Sequence, residues 1–316
     1  MAPRFDTVSF LSDYGLQDEF VGVVKGVIRS IAPHVTVLDV THHIPAHDIR
    51  AGALALARSI QYLPAGVVLA VVDPGVGSAR RAVAVEVGGD DEGDTGGGAA
   101  DAVTEAGADA GADGVGADGD GTEGDAVADG RPGGERGVLV GPDNGLLASA
   151  VALAGGARRA VSLTNDAYHL SAPGPTFAGR DVFAPVAAHL CLGVDLMELG
   201  EAVDPYSLIP GIVPLSRTEE ATVVAEVLWV DHFGNAQLNV GPDEVAEMGE
   251  RVMVRIGDRP PRLAIRVDSF SELKAGQLGL VVDSYGLLAI VLNRRSASEE
   301  LRLGAGDAVV LEAAAE

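Results

Sequence analysis

The segment Asp73-Pro74-Gly75-Val76-Gly77-Ser78-Ala79-Arg80-Arg81 sets a carboxylate and a guanidinium on either side of two glycines. Glycines permit a tight turn, so Asp73 sits at its mouth and Arg80 can fold back toward it. A carboxylate held by a guanidinium can orient a nucleophile or accept its proton. The bland alternative is a turn closed by a surface ion pair, which contributes little. The segment is no P-loop, because no Gly-Lys-Ser/Thr follows, and it lacks the dinucleotide-binding spacing. Asp13 and Asn144 also follow apolar runs. In open α/β sheets, ligands bind at the carboxyl ends of strands, so Asp13, Asp73 and Asn144 are candidates to share one crevice.

Thr176-Phe177-Ala178-Gly179-Arg180-Asp181 precedes a run with Pro185 early in it. Either Asp181 caps that helix, or Phe177 and Gly179 form a close wall beside a ligand. Asp231-His232-Phe233-Gly234-Asn235, Asp283-Ser284-Tyr285-Gly286 and Leu292-Asn293-Arg294 are polar and aromatic clusters at strand ends. Asn235 can read an amide-like edge such as that of adenine, and Phe233 or Phe270 can stack on a base. His42, His43 and His47 invite a metal reading, but Pro45 breaks helical spacing and no Cys or carboxylate set completes a site. No metal is expected.

These residues need a scaffold to converge. Runs at Thr7–Leu11, Val35–Val40, Gly66–Val72 and Gly137–Gly141 predict strands, and Glu19–Ile31, Asp48–Tyr62, Leu146–Leu153 and Ala184–Leu192 predict helices. Strands alternating with helices imply an α/β N-terminal domain with a largely parallel sheet, over residues 1–205. Within it, residues 88–136 are almost all Gly, Ala, Asp, Glu and Thr, and are expected to be a disordered acidic insertion. Residues 206–218 read as a Pro-bearing linker. Residues 219–316 carry short β-branched runs separated by turns, predicting a small antiparallel β-barrel or sandwich.

The formal charge of −24, half of it between Asp90 and Arg136, argues against nucleic acid and anionic lipid as partners. The longest apolar runs are too short to span a bilayer. One cysteine, Cys191, and the lack of a secretory leader pattern lead to the expectation of a cytoplasmic protein.

Taken together, Ser12-Asp13-Tyr14-Gly15 with Asp18, Asp73-Pro74-Gly75-Val76-Gly77 with Arg80, Pro142-Asp143-Asn144-Gly145-Leu146, Thr176-Phe177 with Gly179-Arg180-Asp181, and Asp231-His232-Phe233-Gly234-Asn235 resemble the S-adenosylmethionine hydroxide adenosyltransferases, relatives of fluorinase and chlorinase. The resemblance implies an α/β domain followed by a β-barrel, and a homotrimer with each ligand between the first domain of one subunit and the second of a neighbour. It implies S-adenosylmethionine as substrate and no cofactor. Asp13 would hold the ribose, and Asp18, Asp231 and Ser284 the methionine end. Phe177 and Gly179 would wall the site. Asn235, with Asn293 and Arg294 nearby, would read adenine beside Phe233 and Phe270. Asp73 and Arg80 match two of the three residues that position water in the hydrolytic branch; where that branch carries His, this chain has Ala178. Tyr285 stands where the fluorinase has an arginine.

The expected activity is hydrolysis to adenosine and L-methionine by water attacking ribose C5′. A carboxylate at Asp73 would repel a halide in a dry pocket, leaving 5′-halogenation as the alternative enzyme. A catalytically weak S-adenosylmethionine or adenosine binder is the alternative that Ala178 raises.

Overall fold

The structure, a computed structural model, describes residues 4–88, 137–219 and 221–314. The acidic insertion therefore lies, but for Gly88, outside the described residues.

The first unit comprises β1 (Thr7–Ser12), α1 (Phe20–Ile31), β2 (Thr36–Thr41), α2 (Ile49–Ser59), β3 (Val67–Val71), β4 (Ala82–Val87), β5 (Gly137–Pro142), α3 (Ala148–Leu153), β6 (Ala157–Ser162), α4 (Ala184–Cys191) and β7 (Glu201–Val203). They form one sheet in the order β2-β1-β3-β5-β4-β6-β7. The pairings β2–β1, β1–β3 and β3–β5 are parallel, and those among β5, β4, β6 and β7 are antiparallel. Because β6 turns back again, β4 and β7 alone oppose the common strand direction, and the sheet is mostly parallel.

The apolar run of β3 explains its central place. All five of its residues are buried, as a strand covered on both faces requires. One face packs under α1 and α4 through Val8, Phe10, Val24, Ile28, Leu69 and Phe183. The other packs under α2 and α3 through Leu11, Leu56, Ala70, Leu146 and Ala150. In α1, Val21, Val24 and Ile28 fall on one stripe and are its buried residues, the spacing of an amphipathic helix. Asp48 caps α2 by accepting from the Ala51 N–H at 2.8 Å.

Next come β8 (Arg217–Glu219), β9 (Thr222–Val230), β10 (Ala236–Leu238), β11 (Arg251–Ile256), β12 (Arg262–Arg266), β13 (Leu278–Val282), β14 (Leu288–Leu292), α5 (Ala297–Leu301) and β15 (Ala308–Ala313). The order β10-β14-β13-β12-β11-β15-β9 closes on itself through β9–β10, and β8 adds to β9. This is a closed seven-stranded barrel, with no free edge in the ring. It is mixed rather than wholly antiparallel: β12 and β13 run parallel, with Ile265 opposite Gly279. Parallel neighbours need a long crossover. Here it is the segment from Val267 to Gln277, which carries Phe270.

The linker is tied to the first unit. Arg81 bonds Asp143 Oδ2 at 2.8 Å and Ser207 Oγ at 3.0 Å, and Asp143 Oδ1 accepts from the Ile209 N–H at 2.8 Å. Two arginines of α2 reach the barrel: Arg50 pairs with Glu226 at 2.5 Å, and the Arg58 guanidinium lies 4.1 Å over the Trp229 ring. Among the described residues, no helix is long and apolar enough to cross a membrane.

Candidate active site

The register of the central sheet sets the first half of the site. Ser12 at the end of β1 pairs with Val71 at the end of β3. Asp13 and Asp73 therefore emerge side by side at the carboxyl edge, where ligands bind in such sheets. Arg80 folds back across the turn. Its Nε lies 2.9 and 3.0 Å from the two carboxylate oxygens of Asp73, and its Nη2 also donates to Asp73 Oδ2. The pair is screened from solvent, with side-chain exposures of 5% for Asp73 and 15% for Arg80. The Arg80 guanidinium also rests 5.3 Å above the Phe183 ring. This is a buried, geometrically fixed carboxylate rather than a surface pair.

Asp13 is fixed from a different direction, accepting from the His47 N–H at 2.9 Å. Behind it runs a chain of side chains. Ser12 Oγ meets His42 Nδ1 at 2.8 Å, and His42 Nε2 meets Asp39 Oδ1 at 3.0 Å. In the neutral ring, a proton on Nε2 facing the carboxylate leaves Nδ1 to accept from Ser12. Ser12 Oγ in turn accepts from the Tyr14 N–H. His42 thus braces the Ser12–Gly15 loop, and the Gly15 N–H donates to its carbonyl at 2.8 Å. Ser12 is fully buried, so this Ser-His-Asp chain presents no nucleophile. Among the described residues no group of three or more His, Cys, Asp or Glu could hold a metal. Burial pushes the Cys191 thiol up to about 12, with Asp6 adding to it, so it is not a thiolate nucleophile.

The wall opposite is a π turn, Gly179–Phe183, leading into α4. Phe177 packs edge-on against Tyr14 and Phe20, at 5.7 and 5.1 Å between ring centres. A β-carbon on Gly179 would come within 2.2 Å of the Tyr14 hydroxyl, so only glycine fits. Asp181 is not a helix cap: it lies inside the π turn and binds Arg180 at 2.5 and 2.9 Å. Ala178, Gly77, Arg80 and Asp181 line a cavity of about 470 Å³. Asn144 does not join the crevice through its side chain, which spans the Val72 carbonyl and the Leu146 N–H. Asp18 is exposed beyond the end of the loop.

The second half lies at one mouth of the barrel. Asp231 Oδ1 accepts from the N–H groups of Phe233 and Asn235 at 2.9 and 2.8 Å, while Oδ2 takes Asn235 Nδ2 at 2.8 Å. Asp283 repeats this turn, accepting from Tyr285 and Leu287 at 2.9 and 3.2 Å. Gln237, two residues beyond Asn235, donates to Asp283 Oδ2 at 2.5 Å. Positive φ at Gly234 and Gly286 closes both turns. Asp231, Asn235, Phe270, Ser284 and Tyr285 line one pocket of about 480 Å³, together with Trp229, Asp268 and Asp283. Asn293 turns away from that pocket and holds the crossover by donating to the Leu273 carbonyl at 2.6 Å. Arg294 is exposed in a left-handed conformation, and Phe233 is 75% exposed. Among the described residues no hydrogen bond, ion pair or ring contact joins the Asp13–Asp73 cluster to the barrel pocket.

Residues absent from the sequence reading but present in the geometry are Tyr14 as a site wall, His42 as a brace, and Gln237 and Asp268 at the barrel. Tyr14 stands next to Asp13 in the sequence, a signal that was legible. Gln237 acquires its partner only when the barrel closes.

An α/β sheet with a buried Asp–Arg pair at its strand tips, followed by a β-barrel with an aromatic and acidic pocket, defines a two-domain protein with a candidate small-molecule site. The chain matches the SAM hydroxide adenosyltransferase N-terminal domain over residues 8–91 and 126–200 and the corresponding C-terminal domain over residues 225–310. It belongs to that family. It is 40% identical over 307 residues to an (R)-S-adenosyl-L-methionine hydrolase from Salinispora tropica, covering 97% of each chain. It is 28% identical over 314 residues to a fluorinase from an Actinoplanes species, covering 95% of each. A conserved, uncharacterized protein from Thermotoga maritima superposes with a TM-score of 0.74 at 29% identity, over 96% of this chain and 99% of that one.

Proposed function

We propose that this protein hydrolyses S-adenosyl-L-methionine at ribose C5′, giving adenosine and L-methionine, and that its substrate is the (R) sulfonium epimer named for its Salinispora relative. The observation that carries the reading is the buried Asp73–Arg80 pair beside Asp13 at the strand tips. The sulfonium is already an activated leaving group, so the protein must chiefly place and desolvate the nucleophile. Water attacks C5′ in line with the departing sulfur, the C5′–S bond breaks with its electron pair going to sulfur, and Asp73 takes the proton. Arg80 fixes that carboxylate. Asp13 holds the ribose, Asp231 and Ser284 the methionine end, and Asn235 the adenine beside Phe270.

A carboxylate at this point argues against halide attack, since like charges in a dry pocket repel strongly. The higher identity to the hydrolase than to the fluorinase supports the same choice. The two half-sites fit a homotrimer in which one subunit's sheet edge meets its neighbour's barrel mouth.

Turnover of each sulfonium epimer in oxygen-18 water tests the reading. One labelled oxygen in adenosine, with faster loss of the (R) epimer, is expected. A halide-dependent 5′-halo product, or a thermal shift without turnover, would overturn it.

A further inference from the structure

The histidine-bearing segment from His42 to His47 touches the loop of Asp13 at three points. The His42 ring meets Ser12 Oγ at 2.8 Å, and the His42 carbonyl accepts from the Gly15 N–H at 2.8 Å. The third point is the His47 N–H, which donates to Asp13 Oδ2 at 2.9 Å. His47 takes a left-handed backbone with φ 68°, a conformation that residues with a β-carbon keep only where their surroundings impose it. The His42 ring is itself anchored, 4.6 Å edge-on to Phe10 and 3.0 Å from Asp39 Oδ1. Lys25 Nζ holds the other Asp39 oxygen at 2.6 Å. Burial alone would raise the Asp39 pKa, but bonds from Lys25 and His42 outweigh it and hold the group below its ordinary value. A chain of side chains thus runs from α1, through β2, to the end of β1. At its far end Asp13 Oδ2 is committed to His47, while Oδ1 accepts no hydrogen bond among the described residues. One carboxylate oxygen is left for a ligand.

We propose that His42 is a positioning residue for the substrate, setting through Ser12 and the Gly15 N–H where Asp13 presents its free oxygen to the ribose. This rests on the reading of Asp13 as the group that holds the ribose. A hydroxyl donating to a carboxylate makes a short, charge-assisted bond whose strength depends on alignment. Small displacements of a group that orients substrate are therefore costly. Ser12 directly precedes Asp13, and its Oγ has two tasks. It donates to His42 Nδ1 and accepts from the Tyr14 N–H, closing the backbone around Asp13. Both tasks need the ring neutral with its proton on Nε2, the tautomer that the Asp39 carboxylate favours. Asp39 and Lys25 act one step further out, by holding that ring in place.

Calorimetric titration with adenosine and steady-state kinetics test this in four variants. Ser12→Ala removes one atom from a fully buried position. It should weaken adenosine affinity and raise KM, each roughly tenfold, with kcat within about twofold of the parent. In an Asp13→Ala background the same substitution should change affinity by less than about twofold, because the group to be positioned is gone. Equal losses in both backgrounds would mark a merely structural role and overturn the proposal. His42→Asn keeps an acceptor directed at Ser12 and should bind within about threefold of the parent. His42→Gln carries its amide toward Asp39 instead and should show the full loss. Parental affinity in both Ser12→Ala and His42→Gln, with oxygen-18 still entering adenosine, would overturn the role of His42 and leave the hydrolysis reading standing. Failure of the unaltered protein to bind adenosine or to place oxygen-18 in it would remove both.

Discussion

Replacing Asp73 by Asn separates what the Asp73–Arg80 pair does for the fold from what it does for chemistry. The side chain is 5% exposed and its partner 15%. Removing one member of a fully buried pair costs 3–5 kcal/mol, because the other charge is left without compensation. Here the guanidinium retains some solvent and the Phe183 ring, so about 2–3 kcal/mol is expected. At roughly 2–3 °C per kcal/mol for a unit of this size, the first domain should melt about 4–9 °C lower. Turnover should fall by at least two orders of magnitude, with adenosine still bound. The double variant, Asp73→Asn with Arg80→Gln, removes the orphaned charge and should regain part of the melting temperature while remaining inactive. Calorimetry and a coupled adenosine assay on the three proteins read both quantities. If Asp73→Asn melted as the parent and turned over normally, the pair would be neither structural nor catalytic. Recovered turnover in the double variant would sink the proton-accepting role of Asp73.

Two further outcomes follow from the same reasoning. Glu86 is buried, and although burial alone would raise its pKa, bonds from Arg159 and Arg4 outweigh that and hold it at about 2. Its contribution, on the order of 1–2 kcal/mol after screening at the half-exposed arginines, should be present above pH 4.5 and be lost as pH falls toward 2. Denaturant titrations of the parent and Glu86→Gln should therefore differ at pH 7 and converge near pH 2; a constant gap would refute the pairing. Asp231→Ala frees two backbone N–H groups and Asn235 at an accessible mouth. It should cost only about 1 kcal/mol of stability but weaken substrate binding roughly tenfold or more; calorimetric titration showing parental affinity would remove Asp231 from the site.

Strands with continuous apolar runs, such as Val67–Val71, and helices with one apolar stripe, such as Phe20–Ile31, were legible because their burial is written in their own residues. The strand Ala82–Val87 was not, because its partner Gly137–Pro142 lies beyond the acidic insertion. Ala157–Ser162 carries Arg158 and Arg159, whose charges obscure its alternation. The parallel β12–β13 pairing has no local signature at all, since register is set by closure of the barrel. Among site residues, Asp13 and Asp73 were legible as polar groups ending apolar runs. The bracing role of His42 was not, because Ser12 and Asp39 reach it from two different strands.

The hairpin of β4 and β5 has its own consequence for how this chain can change. Val87 stands opposite Gly137 at one end and Ala82 opposite Pro142 at the other, and it is the second end that neighbours Arg80, Arg81 and Asp143. Sequence gained or lost between Val87 and Gly137 thus enters at the rim of the sheet farthest from Asp73, where ring closure grows only slowly more costly with length. That rim is a natural splice point: its two anchors, Val87 and Gly137, stand at the opposite end of their strands from the turn that carries Arg80.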